Sequence, residues 1–213
     1  MKRWWFFPVI IAGSLVLLIV LAHIFAPVIA SFITSRQTGL PVRIHAISLT
    51  PQKANITHLI ITNPKKSKFH HALDIDEIEI CSSWQKLRGP TLTVDAIEME
   101  DIRLNIEIYN NTGQNNWHLL LSEKEKEKTA DQEGRPYLIK KLTLKNLNIV
   151  LVKANGQIER FPSIDKIELK NLASEKKCVI SEIEKAVLRE ILKSAFIKYG
   201  LQNLLETINP ANI

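Results

Sequence analysis

The sequence predicts a mainly β protein with a transmembrane helix at its N-terminus and an amphipathic helix near its C-terminus. Three observations lead to this class: an uncharged apolar N-terminal segment, an apolar pattern of β type that recurs through the middle of the chain, and helical spacing after residue 180. We expect the strands to form a curved antiparallel sheet whose apolar face makes a groove. The periodicity leaves open the alternative of a β-sandwich with a packed helix.

The N-terminal segment is long enough to cross a bilayer. No Asp, Glu, Lys or Arg occurs between Trp4 and Ser35, and about 20 helical residues span a hydrocarbon core of ~30 Å. We therefore predict a transmembrane anchor over residues 4–26, which Pro27 ends or bends. The alternative is a cleaved secretory signal, with a mature chain that begins at Ser31.

The charges beside the anchor predict its orientation. Lys2 and Arg3 lie in residues 1–3, and positively charged flanks tend to stay in the cytoplasm. We expect a cytoplasmic tail, a single crossing and a domain outside the cytoplasm. The net charge of +6 is spread over interleaved Lys and Glu, whereas nucleic-acid binding needs Lys and Arg clustered on one face. We therefore expect no nucleic-acid partner, and we expect the excess charge to suit anionic lipid head groups.

One apolar pattern occurs twice with identical spacing. In residues 94–106 and 139–151 the apolar positions lie 0, 3, 5, 8, 10 and 12 residues after the first. These twelve residues are the predicted lining of the groove: Val94, Ile97, Met99, Ile102, Leu104, Ile106, Ile139, Leu142, Leu144, Leu147, Ile149 and Leu151.

The spacing of this pattern predicts bent strands. Side chains two residues apart share one face of a strand, so each three-residue step moves the apolar side chain to the other face. A bulge or bend inserts one extra residue and restores the face. The same step opens six hexamers, which begin at Ile44, Ile56, Ile75, Val94, Ile139 and Ile164. The polar residues inside each run predict a sheet that is apolar on one side and wet on the other.

Composition divides the rest of the chain. Residues 122–136 are highly charged and predict a disordered linker between a first β region, 27–121, and a second, 137–178. Helical spacing over residues 179–208 predicts the amphipathic helix. We expect its apolar face to pack on the sheet, and the alternative is that it docks on a membrane or a partner.

The sequence offers no arrangement of side chains suited to catalysis, so we expect no enzyme, cofactor or metal site. His70 and His71 are adjacent and would point to opposite faces of a strand. Asp74, Asp76 and Glu77 lack the Gly and the spacing of a calcium loop. We expect these acids on the solvated face of a strand.

The two cysteines, Cys81 and Cys178, are too few for a disulfide framework. We expect two buried thiols, and a single bridge between them is the alternative.

The order of four motifs resembles the AsmA-like family, the group that contains AsmA, TamB and YhdP. The anchor is followed by LPVRIHAISLTPQKANITHLIITNP (residues 40–64) and ALDIDEIEI (72–80). Then come IEMEDIRLNIEIYNNTGQNNWHLLL (97–121) and YLIKKLTLKNLNIVLV (137–152). Family members usually continue their Asn-Pro with Gly-Phe, whereas here residues 65–68 precede Phe69.

The resemblance implies an inner-membrane-anchored periplasmic protein of bacteria, related in architecture to bridge-like lipid transfer proteins. It implies a β-taco whose apolar groove binds or guides phospholipid, or that assists assembly of the outer envelope. About ten strands at ~4.8 Å each give a groove of ~50 Å, too short to join two membranes unaided. The alternative is a non-enzymatic scaffold that binds an envelope protein or a second copy of itself.

Overall fold

The computed structural model describes residues 26–36, 40–65, 67–109, 114–122 and 135–178, with residues 190, 191, 193 and 197. The predicted anchor up to residue 25, the linker residues 123–134 and most of the predicted C-terminal helix lie outside this part. The four described residues of that helix are helical. Among the described residues, no helix is both long and apolar enough to span a membrane.

The described chain is mainly β, as predicted. Its elements in order are α1 (residues 26–36), β1 (Val42–Leu49), β2 (Lys53–Thr62), β3 (His71–Cys81), α2 (Trp84–Arg88), β4 (Leu92–Val94), β5 (Ala96–Glu107), α3 (Asn116–Ser122), β6 (Arg135–Val152), β7 (Ile158–Arg160) and β8 (Ile164–Cys178). Helical structure continues past Pro27 to residue 36.

All these strands belong to one open, curved sheet. Strands β1, β2, β3, β5 and β6 are neighbours in that order. Strands β4 and β5 pair with β6 one after the other and in the same register. Together they form one crossing of the sheet, interrupted at Asp95, and we call each such crossing a pass. Strands β7 and β8 form another pass along β6. The predicted sandwich is therefore not what these strands build.

The prediction of an antiparallel sheet is wrong at one junction, because β4 and β5 run parallel to β6. The other neighbouring strands are antiparallel. Parallel neighbours need a crossover connection that returns the chain to the end where it started. The segment between β5 and β6, which contains α3, makes this return. The spacing of apolar residues carries no information on strand direction.

The three-residue steps of all six passes lie side by side. They form two rows across the sheet, in which each residue pairs with the next. One row is Ile47, Ile56, Ile78, Met99, Leu144 and Ile167. The other is Ile44, Leu59, Ile75, Ile102, Leu147 and Ile164.

Left-handed residues produce several of these steps. His58, Asp101 and Asn146 lie between the two rows with φ of 58°, 54° and 52°. Asn171, with φ of 56°, lies in a second step, where Leu169 and Leu172 pair with the first residues of the β6 pattern. An extra residue in this conformation returns the next side chain to the original face. The bend predicted from the spacing thus crosses the sheet as a line.

Helix α1 runs along the outer edge of β1. The Ser35 hydroxyl accepts a hydrogen bond from the Val42 amide at 2.8 Å and donates to the Val42 carbonyl at 2.9 Å. The Ser31 hydroxyl accepts from the Ile44 amide at 2.7 Å. Backbone groups of an edge strand otherwise invite pairing with another chain. Two serines one helical turn apart satisfy these groups.

Candidate functional site

The two copies of the apolar pattern meet in the sheet. Each residue of the β4–β5 copy lies beside its counterpart in β6. The pairs are Val94 with Ile139, Ile97 with Leu142, Met99 with Leu144, Ile102 with Leu147, Leu104 with Ile149 and Ile106 with Leu151. All twelve are buried. The repeated spacing is what keeps both strands in phase through the same bend.

The centre of this apolar face is closed. Ile102, Leu104, Leu142 and Leu147 are fully buried. Ile191, from the predicted C-terminal helix, is 2% exposed and belongs to the same cluster of core residues. Over β5 and β6 the predicted groove lining is therefore packed as a core.

The same apolar face is more exposed along β1 and β2, at the edge of the sheet far from β6. Along β1 the side chains of Ile44 and Ile47 are half-buried, and Leu49 is 58% exposed. Their partners on β2, Leu59 and Ile56, are also half-buried. We call these five residues the β1–β2 strip. It begins where α1 contacts β1 and continues away from it along the strand.

A buried polar network supports the face at one end. The Asn116 amide group donates to the Asn63 side-chain oxygen at 2.7 Å and to the Asn105 carbonyl at 2.9 Å. Its oxygen accepts from the Glu107 amide at 2.9 Å. The Trp117 indole also donates to the Asn105 carbonyl, at 3.0 Å. The network ties the loop after β2 to the end of β5.

Sequence reasoning missed this network. Asparagine side chains are mostly exposed in proteins, but Asn115 and Asn116 are fully buried here, together with Trp117. The Asn115 side chain accepts from the His118 amide at 2.9 Å and so caps α3. The available signal was two amides directly before a Trp and a run of leucines. Two motifs of the resemblance, the Asn-Pro after β2 and the Asn-Asn-Trp after β5, thus meet through side-chain contacts.

The opposite face carries a charged cluster. His58, Asp74 and Asp76 each offer a potential metal-ligand atom, and these atoms lie within 4.8 Å of one another. The Arg103 guanidinium, however, lies 3.2 Å from Asp74 and 2.7 Å from Asp76. A cation of the protein itself therefore pairs with both carboxylates. The expectation that Asp74 is solvated is wrong, since the residue is 9% exposed beneath Arg103 and two histidines.

A second cluster is open to solvent near the outer strand. Glu168 lies 3.3 Å from Lys141, 3.2 Å from Lys166 and 3.3 Å from Lys170. These three ammonium groups lower the pKa of Glu168 to about 2. The arrangement keeps a carboxylate ionised between cations that would otherwise repel one another.

The thiol at Cys81 is free and half-buried. Burial raises its pKa, as does the hydrogen bond to Glu79. Cys81 aligns with Ala96 in β5, whereas Cys178 aligns with Arg135 in β6 and lies on the far side of that strand. The alternative of a bridge between the two cysteines does not fit this register.

Comparisons of the chain with protein families, with curated proteins and with solved structures find no match. The resemblance to the AsmA-like family therefore stays a prediction.

Proposed function

We propose that the protein is anchored in a bacterial inner membrane and holds acyl chains of phospholipid on the apolar face of its sheet, in the periplasm. The observation that carries the proposal is the β1–β2 strip. It is apolar, partly open, and continuous with the buried apolar rows of the sheet. Exposed contiguous apolar surface on a protein commonly marks a binding site.

The proposed site differs from the twelve residues that the repeated spacing predicts as the groove lining. Those twelve side chains on β4, β5 and β6 are buried in the core. They therefore support the sheet and leave no room for acyl chains. Acyl chains contact the strip instead, where Ile47 is half-buried and Leu49 is exposed on one strand. The strip starts beside α1, so it offers lipid an apolar path that leads away from the predicted anchor.

The length of the path suits a local role. Strand β1 has eight residues, and at ~3.3 Å per residue it extends about 25 Å. This reach covers one lipid leaflet rather than the space between two membranes. The protein would thus extract, present or pass on lipid close to its own membrane, or assist envelope assembly there.

The strip can be tested directly by substitution. Ile47→Gln with Leu49→Gln places two amides on the strip, whereas Ser48→Gln places one on the opposite face of the same strand. Each full-length chain is exposed to a photoactivatable phospholipid in membranes, and the covalent adducts on peptides of the sheet, residues 40–178, are quantified by mass spectrometry. We expect the double variant to lose most of the adduct while Ser48→Gln keeps it. Equal adduct in both variants contradicts the proposal.

A specific observation favours a second function. Ile191, from the predicted C-terminal helix, packs into the same cluster as the centre of the apolar face. Such packing suits a scaffold whose own helix covers the apolar face of its sheet. In this alternative the protein binds an envelope protein or a second copy, and carries no lipid. A folded chain whose sheet peptides carry no phospholipid adduct places this alternative first.

A further inference from the structure

Helix α1 has one side fastened to the sheet and another side apolar and uncovered. Ser31 and Ser35 bind the edge of β1, as described above. Four large apolar side chains of the same helix are exposed: Val28 by 63%, Ile29 by 54%, Phe32 by 63% and Ile33 by 45%. Their spacing of one, four and five residues places them along a single stripe of the helix. We call these four residues the α1 stripe.

The chain before α1 indicates what covers the stripe. Residues 4–25 contain no charged residue, and the first charge after Arg3 is Arg36, at the end of α1. We propose that α1 lies in the membrane interface, with the α1 stripe among lipid acyl chains and Arg36 among the head groups. This inference rests on the membrane anchoring in the proposed function. An interfacial helix lies with its apolar face among acyl chains and its basic residues among the head groups.

The contacts of Ser31 and Ser35 couple the position of α1 to the position of β1. Val42 uses both its amide and its carbonyl to bind Ser35, so the start of β1 cannot swing freely away from the helix. A helix held in the interface therefore fixes the edge of the sheet at the membrane surface. Ile44, the first residue of the β1–β2 strip, is bound to Ser31 and lies at that surface.

The inference is tested with single cysteines in the full-length chain in liposomes. Cys81 and Cys178 are replaced by Ser, and Phe32→Cys is compared with Ser48→Cys, an exposed position on β1. Each thiol is labelled with a bimane fluorophore, and the liposomes contain phospholipid brominated along the acyl chains. We expect strong quenching at Phe32 and little at Ser48. Labelling of Phe32→Cys by a membrane-impermeant maleimide should be about tenfold slower than labelling of Ser48→Cys.

Other results overturn the inference. Quenching at Phe32 that is as weak as at Ser48 places the α1 stripe in water, and strong quenching at both positions leaves no preference of the stripe for the membrane; either result overturns the inference. Protection of Phe32→Cys that grows with protein concentration, without quenching, assigns the stripe to a second copy. Alkaline extraction of the same liposomes separates the two proposals. A chain that is retained but not quenched at Phe32 contradicts only this inference, whereas a chain that is released contradicts the anchored state itself.

Discussion

Removal of the Asn116 side chain should destabilise the protein well beyond the average for a single substitution. The amide makes three hydrogen bonds at 2.7–2.9 Å and is fully buried. Asn116→Ala leaves the Asn63 oxygen and the Glu107 amide without these partners, and both residues are buried. The Asn105 carbonyl keeps its bond from Trp117.

The expected loss of stability follows from the two polar groups that lose their hydrogen-bond partners. Each buried polar group left without a partner costs roughly 1–3 kcal/mol, so we expect a loss of about 3 kcal/mol in the free energy of unfolding. With an m-value of about 2 kcal/mol/M, the urea midpoint should fall by about 1.5 M. The assay is urea unfolding of the full chain in mild detergent. Trp117, which is fully buried, contributes to the fluorescence change on unfolding.

Two further variants make the result interpretable. Asn148→Ala is the matched control: this Asn is exposed and makes one bond, to the Asn146 carbonyl at 3.1 Å, so the loss should be within about 0.5 kcal/mol. Asn116→Asp keeps the volume and the acceptor but removes both donors, and it should cost at least as much as the alanine. If Asn116→Ala and Asn148→Ala have the same midpoint, the network does not stabilise the fold.

Two other perturbations test the bend and the charged surface. Asn146→Val should lower the free energy of unfolding by about 1–2 kcal/mol, because a β-branched side chain fits poorly at positive φ. Asn146→Gly should be neutral or stabilising. Urea unfolding of the three proteins checks this, and a Val variant that is the most stable of them contradicts the left-handed conformation at this step. The pKa of Glu168 is lowered to about 2 from an ordinary value of 4.5, so its ion pairs stabilise the folded state above pH 4.5 and cease to do so as the pH falls to 2. The melting temperature of Glu168→Gln should therefore lie below that of the parent at neutral pH and converge with it near pH 2, and a constant difference across that range would exclude the carboxylate as the cause.

The strands and their bends could be predicted because they are local properties. The spacing of Ile97, Met99 and Ile102 already requires one extra residue if all three share a face, and Asp101 provides it. The choice of neighbours could not be predicted in the same way. A step in β5 looks the same whether β6 runs parallel or antiparallel to it, because direction is set by the connection between the strands.

The buried polar residues were harder to predict because their partners are distant in the sequence. Asn116 is 53 residues from Asn63, and the buried Asp74 is 29 residues from Arg103, which pairs with it. Composition places such residues on the surface, since uncompensated polar groups avoid the interior. Only the folded sheet brings the compensating groups together, so this part of the molecule follows from topology rather than from local pattern.

The line of aligned bends has a consequence for how such a protein can change in size. Because every pass carries its extra residue at the same level, a deletion of Asn146 alone would put half of β6 out of phase with both neighbours. A whole additional pass with its own three-residue step, however, could pair with β8 without disturbing any pair among the described strands. The architecture therefore tolerates duplication of complete strands far better than small insertions within one. The identical spacing of β4–β5 and β6 is what such growth would leave behind.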